Sequence, residues 1–174
     1  MLPNALRTEL AAVPDLRLLT QPEDLERFSR DAYDYSPVLQ QRLAQCRAEL
    51  VVRPETVNAV VRVAAACRQH GVPLTLRGSG TGNYGQSVPL ESGVVMLMTQ
   101  LRAVRSIDQN SGVATVECGC LMKDLNRELA RAGRQLRLMP STWRSATIGG
   151  FIAGGSGGIG SVRWGFLRDP GHLL

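Results

Sequence analysis

The 174-residue chain sets 20 Lys and Arg against 15 Asp and Glu, a formal net charge of +5, with 44% hydrophobic and 5% aromatic residues. That length suits one domain with a sizeable core, and apolar residues mixed with both signs of charge exclude a disordered chain. The excess charge is scattered arginine with a single lysine, Lys123, so no basic arm for nucleic acid is expected; acids throughout residues 1–30 exclude a secretory leader, and the uncharged stretch 145–162 holds too much glycine for a membrane span.

In chain order, Leu6, Leu10 and Val13 predict a short amphipathic helix. TQPED at 20–24 supplies a cap, a proline and acids to start a second helix, and DAYDYSPVLQQ at 31–41 is expected to break at Pro37. Residues 1–48 thus read as a helical or irregular lead-in. From Glu49 the pattern changes. ELVVRP is a short apolar strand, Thr56 caps a helix with Val57, Val60, Val61, Ala64 and Cys67 as its apolar stripe, Gly71 stops that helix after His70, and VPLTL is the next strand. Residues 50–76 have the length of a right-handed strand, helix, strand crossover.

GVVMLM at 93–98 reads as a buried strand, and AVRSID at 103–108 and GVATVEC at 112–118 as two more around a turn at Asn110, Ser111 and Gly112. A helix over about 121–132 turns Met122, Leu125 and Leu129 to one side and ends at Gly133. The fold class is α+β: a small sheet built on the strand, helix, strand unit, then a second sheet of mostly consecutive strands carrying the helix at Leu121. Cys46, Cys67, Cys118 and Cys120 lack the spacing of a zinc site, so reduced thiols and no metal are expected.

The segment LTLRGSGTGNYGQSVPL, 74–90, contains G-x-G-x-x-G at Gly80, Gly82 and Gly85. A Rossmann loop would open a helix and be followed about 20 residues later by an acid. Here Pro89 and Gly93 forbid the helix, and Gln100 stands where the acid belongs. What remains is a turn whose backbone N–H groups can converge on an anion, with Arg77 at its entrance and Ser79, Thr81, Asn83 and Ser87 as short donors. An anion loop and a plain turn both stand on these residues alone. The second glycine-rich segment, PSTWRSATIGGFIAGGSGGIGSVRWG at 140–165, carries Ile148, Phe151, Ile152 and Ile159, which suit no solvated tether. Close approach of backbone to a flat ligand fits better.

Taken together, RDAYDYSP (30–37), the run 51–86, VECGC (116–120), SATIGGFIA (145–153) and WGFLRD (164–169) resemble the FAD-binding PCMH-type domain of the vanillyl-alcohol oxidase family. More narrowly the chain resembles the FAD subunit of glycolate oxidase and the related D-lactate dehydrogenases. The resemblance implies an incomplete FAD domain over 49–174, with further strands and a substrate domain expected beyond it. It implies that Arg77, Gly78, Ser79, Gly80, Thr81, Gly82, Asn83, Gly85 and Gln86 wrap the FAD pyrophosphate, chiefly through main-chain N–H groups. Pro140, Ser141, Thr142, Ala146, Thr147, Gly149, Gly150 and Ala153 would run along the flavin and ribityl chain, continued by Gly154 and Gly158. Gly154 stands where the family usually has asparagine.

Relatives that bind flavin covalently use a loop histidine where this chain has Thr81, so FAD is expected to be non-covalent. His70 and His172 read as a surface residue at a helix end and a tail residue. The implied activity is FAD-dependent oxidation of a small 2-hydroxy acid such as glycolate or D-lactate by hydride transfer to flavin, in the cytoplasm, with partner subunits of a glycolate oxidase-like complex. No catalytic acid or base is named, because the family draws those groups largely from the part beyond residue 174. A flavin-dependent reductase of enolpyruvyl sugar nucleotides shares the loop types, but RDAYDYSP favours the hydroxy-acid branch. The rival class is a non-catalytic module that keeps the loops and binds FAD weakly or assists assembly.

Overall fold

The computed structural model describes residues 1–33, 36–155 and 157–169. Asp34 and Tyr35 of the RDAYDYSP motif, Ser156 and the tail residue His172 lie outside the described residues. The chain divides into two compact units, Met1–Leu101 and Arg102–Leu174. Among the described residues no helix is long and apolar enough to cross a membrane.

The first unit is built on a four-stranded sheet of order β1-β2-β4-β3, formed by β1 (Leu16–Leu19), β2 (Leu50–Pro54), β3 (Leu74–Arg77) and β4 (Val94–Leu97). β2 and β3 both run parallel to β4, and β1 pairs antiparallel with β2. The four residues of β4 are at most 2% exposed. Their unbroken apolar run therefore marks a strand covered on both faces, as in the middle of a parallel sheet. This corrects the expectation that the later strands together form a second sheet, since β4 returns to the first and fills the slot between the two strands of the crossover unit.

Helix α1 (Asn4–Ala11) and helix α4 (Val57–Gln69) cover one face of this sheet. Leu6 and Leu10 meet Leu50, Val52, Val63, Ala66, Cys67, Val94 and Met96 there. Each fully buried Leu or Val contributes about 1.5–3 kcal/mol relative to exposure. The opposite face gathers Val51, Val95, Leu97 and Ala48 under Leu25 and Phe28 of α2 (Pro22–Phe28). The lead-in is thus neither separate nor only helical. It supplies β1, whose four residues are too few for alternation to be read.

α4 turns a different side inward from the one expected. Ala59, Val63, Ala66 and Cys67 are at most 1% exposed, whereas Val57 and Val61 are each 59% exposed. The helix is apolar on both sides, so periodicity alone could not choose between them. Thr56 caps it as expected, its hydroxyl accepting from the Ala59 N–H at 3.2 Å. At its other end the His70 ring lies 3.0 Å from the Glu9 carboxylate, joining it to α1. Pro37 begins a helix, α3 (Pro37–Leu43), instead of breaking one. A first helical residue needs no N–H donor, and the Ser36 hydroxyl accepts from the Leu39 N–H.

Ser29 shows how tightly the lead-in is tied down. It is 1% exposed, donates its hydroxyl to the Leu25 carbonyl at 2.6 Å and accepts from the Ala48 N–H at 2.8 Å. Ser29→Ala strands that buried N–H, and a loss of about 1–3 kcal/mol is expected. Denaturant unfolding monitored by far-UV circular dichroism checks this, and an unchanged midpoint would contradict it.

The second unit pairs β5 (Val104–Ile107) antiparallel with β6 (Ala114–Val116). α5 (Met122–Arg131) buries Met122, Leu125 and Leu129, as its spacing predicts. They join Cys120, Leu138, Ala146, Ile148, Phe151 and Leu167 in one core. Two short helices, α6 (Ile148–Gly154) and α7 (Ser161–Trp164), form where only glycine-rich connections are legible in the sequence. The α6 helix holds together because the Thr147 hydroxyl accepts from the Gly150 N–H, Gly155 closes it at φ 63°, and Ile148 and Phe151 are buried.

Candidate functional site

In the first unit, β3 runs directly into the glycine loop. Gly80 and Gly85 take φ of +67° and +80°, conformations open to a residue without a side chain. Tyr84 N–H donates to the Gln86 side-chain oxygen at 3.1 Å, Gly85 N–H to Asp31 Oδ2 at 3.0 Å, and Val88 N–H to the Gly85 carbonyl at 3.1 Å. The backbone N–H groups of Gly78, Ser79, Gly80, Thr81, Gly82 and Asn83 have no acceptor among the described residues. A continuous run of donors with no acceptor among the described residues suits an anion rich in oxygen, whose oxygens can replace the water that otherwise meets such N–H groups.

Arg77 does not hold the place expected of it. Its side chain is 5% exposed and lies 3.7 Å from Asp31, whose own side chain is fully buried. The guanidinium donates to Ser87 Oγ at 2.8 Å and to the Arg30 carbonyl at 2.5 Å. The cation is therefore met inside the protein and is not presented at the loop entrance. Asn83 and Gln86 are exposed, while Gly78, Ser79, Thr81 and Gly82 are half-buried. The Gln86 oxygen sits 2.4 Å from where a Cβ on Gly82 would stand, so Gln86 shapes the loop from within.

In the second unit, residues 140–146 form tight turns. The Pro140 carbonyl accepts from Trp143 N–H, and the Thr142 carbonyl accepts from the N–H groups of Ser145 and Ala146. Ser141 is exposed and Pro140 and Thr142 are half-buried. Ala146 and Thr147 are 5% and 2% exposed, so their side chains pack and cap within the unit. Residues 146–149 lie against the CGC segment: Met122 N–H donates to the Ala146 carbonyl, Ile148 N–H to the Cys120 carbonyl, and Gly149 N–H to the Cys118 carbonyl at 2.9 Å. With that side of α6 occupied, Gly150, Ala153 and Gly154 are left exposed at positions i, i+3 and i+4, one bare helical face. Gly158, at φ 67°, packs against the Met139 carbonyl.

Burial pushes the Cys118 and Cys120 thiols up, with local N–H groups opposing. They remain protonated near neutrality and are poor nucleophiles. Glu117, 13% exposed, fastens the segment from the other side. It accepts from Ala103 N–H at 2.7 Å and pairs with Arg105. The Ala103 N–H first and Arg105 second hold its carboxyl below the usual range against the opposing effect of burial. A folded-state pKa lowered in this way contributes stability that is complete above the unfolded value of about 4.3 and is lost as pH falls through the folded one. Wild type is therefore expected to melt above Glu117→Gln at pH 7. The gap should close on acidification below about pH 4.3, a trend that paired thermal melts across pH 3–7 would reveal or refute.

Two participants in these sites have no role legible in the sequence. Asp31 is visible there only as a letter of the RDAYDYSP motif, and Cys118 only as part of VECGC. Their contacts reach residues far along the chain, and no local pattern announces them.

The family described as FAD binding domain matches residues 48–170. The chain is 32% identical over 138 residues to the glycolate oxidase subunit GlcD of Bacillus subtilis, covering 79% of this chain and 28% of that protein. It is 30% identical over 148 residues to the D-lactate dehydrogenase of Archaeoglobus fulgidus, covering 85% of this chain and 32% of that one. Among solved structures, an alkyldihydroxyacetonephosphate synthase is similar with a TM-score of 0.82 at 22% identity, over 97% of this chain and 35% of the other. The chain thus spans about a third or less of the length of these proteins.

Proposed function

Since the chain belongs to the FAD binding domain family, we propose that it is the cofactor-binding part of an oxidoreductase that oxidises a small 2-hydroxy acid, of the glycolate or D-lactate kind. The observation that carries this reading is the run of N–H groups from Gly78 to Asn83 that has no acceptor among the described residues, a donor set suited to the oxygens of a diphosphate. When bound, the flavin supplies the hydride-accepting chemistry. The chain's own residues would bind and orient it: in the first unit the 78–83 amides would hold the diphosphate, and in the second the side of α6 bearing Gly150, Ala153 and Gly154, with Ser141, Thr142 and Gly158, would meet the flavin and its ribityl chain. Ala146, Thr147 and Gly149 support that wall from behind.

The sequence holds no histidine between 71 and 171, so the flavin is proposed to be non-covalent. The likeness to a protein described as a subunit extends the proposal to partner subunits, and free cysteines among the described residues accord with a cytoplasmic setting. The test is a titration of FAD into purified protein, followed by flavin fluorescence and acid precipitation, with anaerobic addition of glycolate or D-lactate to a form extended by the substrate domain that the resemblance implies. Stoichiometric binding, flavin released by acid and, in the extended form, bleaching of the visible bands by either acid are the expected results. Absence of binding would overturn the cofactor reading, and binding without bleaching of the extended form by any 2-hydroxy acid would favour the non-catalytic module.

A further inference from the structure

Segment 30–32 grips the glycine loop at both ends. The Ala32 N–H donates to the Gly80 carbonyl at 2.7 Å, and the Arg30 carbonyl accepts from Arg77 at 2.5 Å. At the far end Asp31 accepts from Gly85 N–H at 3.0 Å and from Ser87 Oγ at 2.5 Å. The Arg77 guanidinium lies beneath Gly80, so close that a Cβ there would stand 2.1 Å from Nη2. Resting on the FAD reading above, we propose that Asp31 and Arg77 are positioning residues: one buried ion pair that braces the cofactor loop and cancels its own charge.

Two physical requirements meet in this pair. The loop must be held with its 78–83 amides together, because ordering them at the moment of binding would subtract from affinity. Asp31 does so by tying down Gly85 and Ser87. Its carboxylate, however, is a full negative charge buried beside a loop built for an anion, where low dielectric strengthens repulsion. Arg77 answers that charge within the protein. The diphosphate then meets neutral amides, neither repelled by Asp31 nor dependent on Arg77 for direct contact.

The signs of the expected effects follow. Arg77→Met removes the cation beside the buried carboxylate and should weaken FAD by about 30-fold or more. Asp31→Asn loosens the brace but leaves a cation near the anion, so a smaller loss of about 5–10-fold is expected. The double variant removes both charges and should bind FAD more tightly than Arg77→Met alone, a non-additivity that independent residues cannot show. Arg77→Lys, which keeps the charge without the planar fork, should fall between wild type and Arg77→Met.

The experiment measures the FAD dissociation constant of each protein by flavin fluorescence, well below each melting temperature and with far-UV circular dichroism confirming the fold. Should Arg77→Met alone fail to fold, Arg77→Lys, Asp31→Asn and the double variant still decide. Wild type that binds no FAD would sink the cofactor reading itself. Wild type that binds, with folded variants within about twofold of it or with strictly additive losses, would overturn the positioning role and leave the cofactor reading intact.

Discussion

Gly80→Ala is expected to weaken FAD binding by about 100-fold or more, equivalent to about 3 kcal/mol. Two costs combine. At φ +67° a side chain enters a region that disfavours L-residues by about 1–2 kcal/mol. The new methyl would also stand 2.1 Å from the Arg77 guanidinium. A flexible arginine tip could ordinarily step aside, but this one is 5% exposed and engaged with Ser87, Arg30 and Asp31. Moving it breaks a buried pair, for which losses of about 3–5 kcal/mol are usual. Gly71→Ala is the matched control: φ is +63° there and nothing lies within 4 Å of the place its new methyl would occupy. It should cost only the backbone term, about 1–2 kcal/mol, and leave FAD affinity unchanged. Equal FAD affinities in the two variants would contradict the account of the loop.

Gly149→Ala should destabilise the second unit by about 2–4 kcal/mol. Its Cβ would lie 2.6 Å from Cys118 Cβ and 2.7 Å from the Cys118 carbonyl oxygen. That carbonyl accepts the N–H of Gly149 itself, so α6 cannot back away without losing the bond that seats it. Urea unfolding measures the loss, and a midpoint within error of wild type would refute the packing argument. Gly154→Ala is the contrast on the same helix. Nothing lies within 4 Å of its Cβ, and exchanging an exposed helical glycine for alanine should raise stability by up to about 1 kcal/mol. If the exposed side of α6 faces the flavin, FAD should nonetheless bind less tightly.

The strands and helices with strong local signatures are readable from residue type alone. The Thr56 cap, the helix stop at Gly71, the unbroken apolar run of β4 and the 122, 125, 129 stripe of α5 all appear where residue type and spacing put them. Elements that disobey local preference are not readable in this way. α6 is nearly half glycine, and it exists because Ile148 and Phe151 reach a core assembled from α5 and the CGC segment. β1 is too short to show a period, and the inward face of α4 is chosen by the sheet it covers. Of the site, the 78–83 loop is legible as a backbone feature, whereas the destination of Arg77 is not.

The sequence by itself determined where the backbone is free to turn, since absence of a Cβ is a property of one residue and acts on its own φ and ψ. It also determined that a glycine-rich turn would follow β3. Only the tertiary structure decided which charges meet and which glycine faces are covered. Those outcomes depend on segments distant in the chain being brought within a few ångströms, where burial makes an ion pair such as Asp31 with Arg77 strong and an unpaired charge costly.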